Sequence, residues 1–230
     1  MPLSTSIMKS IMKGLATTPS SFSQKESYGA SKYACARKLP HCINACGKEE
    51  AIGKESCKQK TITRYIEYLC DAFLIDSAVR YDIKGKKYIG TPVKYYFTDI
   101  GLRNARLNFR QLEETYTMEN IIFNELKIRG FNVDIGVVIV NSSKDGSSVR
   151  KQYEIDFVCN KGSKRYYIQS AYAIPDQAKM EQEQRSLMMT GDAFKKIIIT
   201  KDAPASYYND SGVLIMSIFD FMLNPDSLEQ

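Results

Sequence analysis

Two apolar runs constrain this chain most: Lys-Lys-Ile-Ile-Ile-Thr at 195–200 and Val-Leu-Ile-Met-Ser at 213–217. Each is too short for a helix and lacks the polar alternation of a strand with one wet face. Each is therefore predicted as a strand buried on both faces. Such strands need a layer above and below their sheet, which points to an α/β architecture. The preceding segments agree. Residues 116–129 read as a helix, and 131–140 and 149–159 as strands joined by a turn through Asp145-Gly146, a favoured hairpin dipeptide. A third strand follows at 165–172, entered through Asn160–Ser163, and then a polar helix at 175–190 rich in Gln, Glu and Met. Phe219–Leu223 closes the segment as a short helix, so the order from residue 116 is α-β-β-β-α-β-β-α.

Upstream, Ile62, Tyr65, Ile66, Leu69, Cys70 and Phe73 recur at helical spacing over residues 60–75, with Thr61 placed to cap the start. This is an amphipathic helix with one buried face. Two β-prone stretches follow, about 74–83 and 93–98, separated by Lys84-Gly85-Lys86-Lys87. A helix followed by a hairpin with a basic loop is the order of a winged helix. Arg80, Lys84, Lys86, Lys87 and Lys94 are opposed only by Asp82, and Tyr81, Tyr88, Tyr95 and Tyr96 are interleaved with them. Such a surface suits phosphate contacts and base stacking. The alternative is a solvated hairpin packed on a neighbouring domain. A short helix around Gly101–Leu107 leads to a boundary near 110–115.

The first third is different. Residues 5–16 can form a short helix, whereas 17–60 show no apolar period. Cys35, Cys42, Cys46 and Cys57 lie close together, with His41 beside Cys42, but no paired CxxC knuckles occur. They are read as reduced thiols rather than a zinc site or disulfides. Lys and Arg outnumber Asp and Glu 10 to 4 in residues 1–60 and 9 to 7 in 61–115, and are outnumbered 13 to 15 in 116–230. The basic surplus, and with it room for a polyanionic partner, lies in the first half. No apolar run is long enough to span a bilayer and no secretory signal is evident, so the protein is read as cytoplasmic, without a membrane partner.

The functional question rests on three elements. With Glu119 at 0° on its helix, Ile122, Phe123 and Leu126 fall at about 300°, 40° and 340°. Glu119 therefore sits mid-stripe, facing the sheet, whereas Glu125 falls off the stripe and is expected in solvent. The strand Tyr153–Val158 alternates, which places Tyr153, Ile155 and Phe157 on one face and Glu154, Asp156 and Val158 on the other. Two carboxylates on one face suit a metal site if that face lines a cleft. On the next strand Gln169 and Ala171 share a face.

Glu-Ile-Asp-Phe, a hairpin and then Ile-Gln-Ser-Ala-Tyr resemble the core of the PD-(D/E)xK nuclease-like fold. More narrowly, YIEYLCDAFLIDSAVRYDIKGKKY, KYYFTDIGLRNARL, ENIIFNELKIRGFNVDIG and YEIDFVC…YYIQSAY resemble the C-terminal region of many bacterial and archaeal AAA-type ATPases, a domain of unknown function. The resemblance covers roughly residues 60–222. It implies a winged-helix-like domain at 60–112 and a restriction-endonuclease-like mixed-sheet domain at 113–230; residues 1–59, outside it, are read from their lack of an apolar period as a weakly ordered segment. In active nucleases of this pattern, carboxylates hold Mg2+ and a Lys helps position the attacking water. Carried over, Glu119 matches the helix acid and Asp156 the strand acid, and these two are the candidate metal ligands. Gln169 stands at the Glu position and Ala171 at the Lys position. The implied site is vestigial, formed by Glu119, Glu154, Asp156 and Gln169, with Lys164 and Lys179 the nearest replacement cations in sequence. No GxxxxGK(S/T) phosphate cradle occurs, so ATP hydrolysis falls to another chain. Three readings follow: a non-catalytic module binding duplex DNA or a separate ATPase subunit, a Mg2+-dependent DNA nuclease, and a protein-interaction remnant.

Overall fold

A computed structural model describes residues 59–110, 113–144, 147–203 and 205–230. The predicted helix at 5–16, the irregular stretch at 17–58, the cysteine cluster with His41 and the Asp145-Gly146 turn lie outside the described residues. The chain divides into two units. One takes in the chain up to Ser77 and Thr91–Glu113; the other holds Ala78–Gly90 and Glu114–Gln230.

In the first unit, helix α1 (Gln59–Asp71) buries Ile62, Ile66 and Leu69 of the helical stripe read from the sequence, whereas Phe73, assigned to the same stripe, lies past the helix end and is exposed. The buried residues pack with Ile75, Phe97 and Leu107, and with Tyr95 and Cys70 at the margin. At the end of α1, the Leu74 N–H reaches the Leu69 carbonyl and the Phe73 N–H reaches that of Cys70. This Schellman arrangement puts Phe73 in the left-handed region, at φ 54°. Strands β1 (Ile75–Asp82) and β2 (Lys87–Phe97) form the hairpin, and α2 (Ile100–Arg106) follows, capped by Asp99, which accepts the Leu102 N–H.

The second unit contains α3 (Glu114–Ile128), β3 (Asn132–Lys144), β4 (Ser147–Lys161), β5 (Lys164–Ala171), α4 (Gln177–Met188), β6 (Lys195–Thr200), the two-residue β7 (Tyr207–Tyr208), β8 (Leu214–Ser217) and α5 (Ile218–Leu223). A 3-10 turn at Ser227–Glu229 ends it. The fold is mixed α and β around one mixed sheet, with strand order β2-β1-β3-β4-β5-β6-β8-β7. β3, β4 and β5 run antiparallel; β5, β6 and β8 run parallel, and β7 closes the edge antiparallel to β8. Ile197, Ile198 and Ile199 are fully buried, as are Val213 and Met216. Their two-sided burial was legible in the sequence. β7, only two residues long, was not.

β1 enters the sheet through its far end. Arg80, Tyr81 and Asp82 pair parallel with Ile135, Gly136 and Val137 of β3, and the Ile83 N–H continues the ladder to the Val137 carbonyl. The hairpin tip is therefore part of the second unit rather than a free wing.

Candidate functional site

The site begins with an irregularity in β4. Asp134 of β3 lies opposite Val158, but Gly136 lies opposite Ile155. Two β4 residues, Asp156 and Phe157, thus face Ile135 alone, which is a β-bulge. It resets the alternation. Tyr153, Ile155 and Val158 pack in one cluster with Met180 and Leu187 of α4, so Val158 does not share a face with Glu154 as strict alternation predicts. Phe157 instead meets Phe123 of α3, with ring centroids 6.2 Å apart. Gly136 makes room for the bulge. A Cβ there would lie 2.9 Å from Ile155 Cβ and 2.9 Å from Val158 Cγ2.

Beyond the Phe157–Ile168 pair of the β4–β5 ladder, side chains take over from backbone. Asp156 Oδ2 accepts the Ser170 N–H at 2.9 Å, and Gln169 Oε1 accepts the Asp156 N–H at 3.4 Å. Asp156 is buried, and its carboxylate serves as a strand-end acceptor. The Ser170 hydroxyl beside it is buried with no hydrogen-bond partner. Ala171, at the position where the nuclease pattern has Lys, packs with Tyr167 and Leu187 in the apolar cluster.

Glu119 is buried on α3 among Met118, Ile122, Phe123 and Leu126, as its place in the stripe required. Glu154 turns to Arg80, with Nη2 to Oε2 at 2.7 Å. Glu125 is not solvated: it accepts the Arg129 Nε–H at 2.7 Å, and both side chains are largely buried. The helical wheel missed this because Arg129 reaches past the helix to the carbonyls of Pro225 and Phe221 and to the Ser227 hydroxyl. Lys164 pairs with Glu229 and Lys179 with Glu183. Among the described residues no group of three His, Cys, Asp or Glu side chains is placed to hold a metal ion. A cleft of about 380 Å³ opens past the carboxyl ends of β5 and β6, between Ile174, Met180, Thr200, Asp202 and Tyr207. Glu119, Asp156 and Gln169 do not line it.

Three of the four residues that the resemblance offers to Mg2+ already serve the sheet. A hard cation of this kind takes carboxylates and other oxygens in near-octahedral array. Here one Asp156 oxygen holds a backbone N–H, Gln169 caps Asp156 itself, and Glu154 is paired with a guanidinium.

The basic hairpin also differs from its sequence reading. Lys84, Lys86 and Lys87 are exposed at the tip. Asp82 beneath them is buried, and its Oδ1 accepts the Gly85 N–H at 2.9 Å. Arg80 and Lys94, however, do not belong to a free basic surface. Arg80 lies in the sheet against Glu154, because β1 continues into β3 pairing, and Lys94 is buried in the first unit. Tyr96 is buried and Tyr95 packs at the margin of the first unit's core, whereas Tyr88 is exposed.

Sequence reading named Tyr81 and Tyr88 on the hairpin but missed the cluster they form with Arg165 and Phe194. The Arg165 guanidinium lies 5.5 Å from the Tyr81 ring centroid and 5.2 Å from that of Phe194. Asn160 accepts its Nε–H at 2.7 Å. Tyr81 meets Tyr88 edge-on at 5.3 Å, and the Tyr88 hydroxyl donates to Asp134 at 3.2 Å. Burial pushes the Asp134 carboxyl above its usual range, against the Tyr88 hydrogen bond and the positive charge of Arg165. The only sequence signal was an Arg set among strand tyrosines.

Residues 36–113 match a family model described as a domain of unknown function (DUF8612), and the match ends where the first unit ends. The chain is also 34% identical over 166 residues to a protein of Haemophilus influenzae described as uncharacterized. That match covers 71% of this chain and 37% of the relative, so the chain spans little more than a third of that protein's length.

Proposed function

We propose that this chain is a nucleic-acid-binding module in which a winged-helix-like α1 and hairpin are followed by a restriction-endonuclease-like sheet that does not hydrolyse. On this reading it works as the C-terminal part of a prokaryotic AAA-type ATPase or beside a separate ATPase subunit. The observation that carries it is the exposed Lys84, Lys86 and Lys87 at a tip whose one acid, Asp82, is buried and engaged in the turn. Three exposed cations on a rigid hairpin suit phosphate contacts. The lack of hydrolysis is argued from Ala171 in the apolar core and from Asp156 and Gln169 spent on backbone N–H groups. The ATPase partner is argued from the sequence resemblance alone.

Anisotropy titration with labelled DNA at low salt is expected to show binding that weakens steeply as salt rises. Absence of affinity, or affinity indifferent to salt, would remove the reading. Plasmid incubated with Mg2+ or Mn2+ is expected to stay intact. Cleavage abolished by Asp156→Ala would restore the nuclease alternative. A pull-down is expected to recover a P-loop ATPase.

A further inference from the structure

We propose that Tyr88, Tyr81, Arg165 and Phe194 form a stacking platform for unpaired bases, so that this surface takes single-stranded rather than duplex nucleic acid. The inference rests on the nucleic-acid reading above and specifies the form of the partner.

The four side chains touch in sequence. Tyr88 packs on Tyr81, Tyr81 lies against the Arg165 guanidinium, and Arg165 lies against Phe194. The two ends of the strip are open: Tyr88 is 62% and Phe194 42% exposed. Arg165 is held in place by Asn160 and is flanked by rings on both sides. A fixed planar cation between aromatic faces prolongs a π surface, because guanidinium stacks on rings and on bases alike. Two acids are close. Asp134 accepts the Tyr88 hydroxyl, and Asp192 accepts the Tyr167 hydroxyl at 2.6 Å and lies 3.8 Å from the Lys196 ammonium. Lys196 offsets the charge of Asp192, and Arg165 lies near enough to Asp134 to oppose its charge.

The selectivity follows from what duplex hides. Paired, stacked bases present no free π face, whereas each unpaired base does, and aromatic platforms beside basic grooves hold single strands with little sequence preference. Lys84, Lys86 and Lys87 stand on the same hairpin as Tyr88 and supply the backbone charge contacts.

The test uses the full chain, a labelled single strand of mixed sequence and the same strand in duplex. The single strand is expected to bind about tenfold tighter or more, and Tyr88→Ala and Phe194→Ala to weaken it by about tenfold each while leaving duplex affinity unchanged. Tyr88→Phe and Phe194→Tyr keep the rings and are expected to keep the affinity. Ultraviolet cross-linking of the unaltered chain to a bromouracil-containing strand is expected to label Tyr88 or Phe194, a readout independent of variant folding. Equal affinity for strand and duplex with inert alanine variants, or cross-links confined to other residues, overturns the platform and leaves the basic hairpin standing. Failure to bind either form removes both.

Discussion

Phe73 and Gly130 end helices by the same device. At Gly130 the Phe131 N–H reaches Leu126 and the Gly130 N–H reaches Lys127, with φ at 79°. Phe73 has the same bonds at φ 54° but carries a Cβ that the left-handed region disfavours, and its ring is 81% exposed. Phe73→Gly is expected to stabilise the chain by about 1 kcal/mol, measured by denaturant unfolding. Gly136→Ala should do the reverse. Its new Cβ meets Ile155 and Val158, both within packed strands, and a loss of about 1–3 kcal/mol is expected. Asp134 gives a pH-dependent prediction. Burial raises its pKa from 3.8, so the folded state disfavours the carboxylate at neutral pH. Asp134→Asn keeps an acceptor for Tyr88 and removes the charge. It is expected to raise the melting temperature at pH 7, with the gain fading as pH falls through the raised folded-state pKa toward 3.8 and absent below that, where the acid is protonated folded or unfolded.

At the scale of elements, most helices and strands were legible because their periods are strong. The buried strands β6 and β8, the stripe of α1 and the burial of Glu119 on α3 all follow from the spacing of apolar residues. The site was less legible because it depends on one extra residue in β4. A bulge leaves no mark on alternation until the partner register is known. Its one trace was Gly136 inside an otherwise apolar strand, where glycine often marks a close approach. Arg129 is similar: just past the end of α3, it binds α5 and the following turn through Phe221, Pro225 and Ser227, partners almost a hundred residues away that no local spacing reveals. Arg129→Ala is expected to cost ~2 kcal/mol or more, because Glu125 and three acceptors lose a charged donor. Hydrogen exchange should quicken across 218–229 and stay unchanged in β6.

For the whole molecule, charge decides more than composition suggests. The chain carries a formal net charge of +6, yet the segment from residue 116 onward is net acidic, with 13 basic against 15 acidic residues. On the proposed reading, binding to a polyanion would depend on a few placed cations of the hairpin rather than on the charge of the sheet unit. Replacing Lys84, Lys86 and Lys87 together by Ala is expected to lower the slope of log affinity against log salt by about 2 to 3. A slope unchanged by all three would place the phosphate contacts elsewhere. Among the described residues no helix is long and apolar enough to cross a membrane.

The acid on β4 has a second meaning. By accepting the Ser170 N–H where the backbone ladder gives out, Asp156 fastens two diverging strands together. Folding alone is then enough to retain it. In chains built like this one, an aspartate at that place testifies to an intact sheet. On the reading proposed above, loss of hydrolysis is written instead on the neighbouring strand, where Gln169 and Ala171 stand.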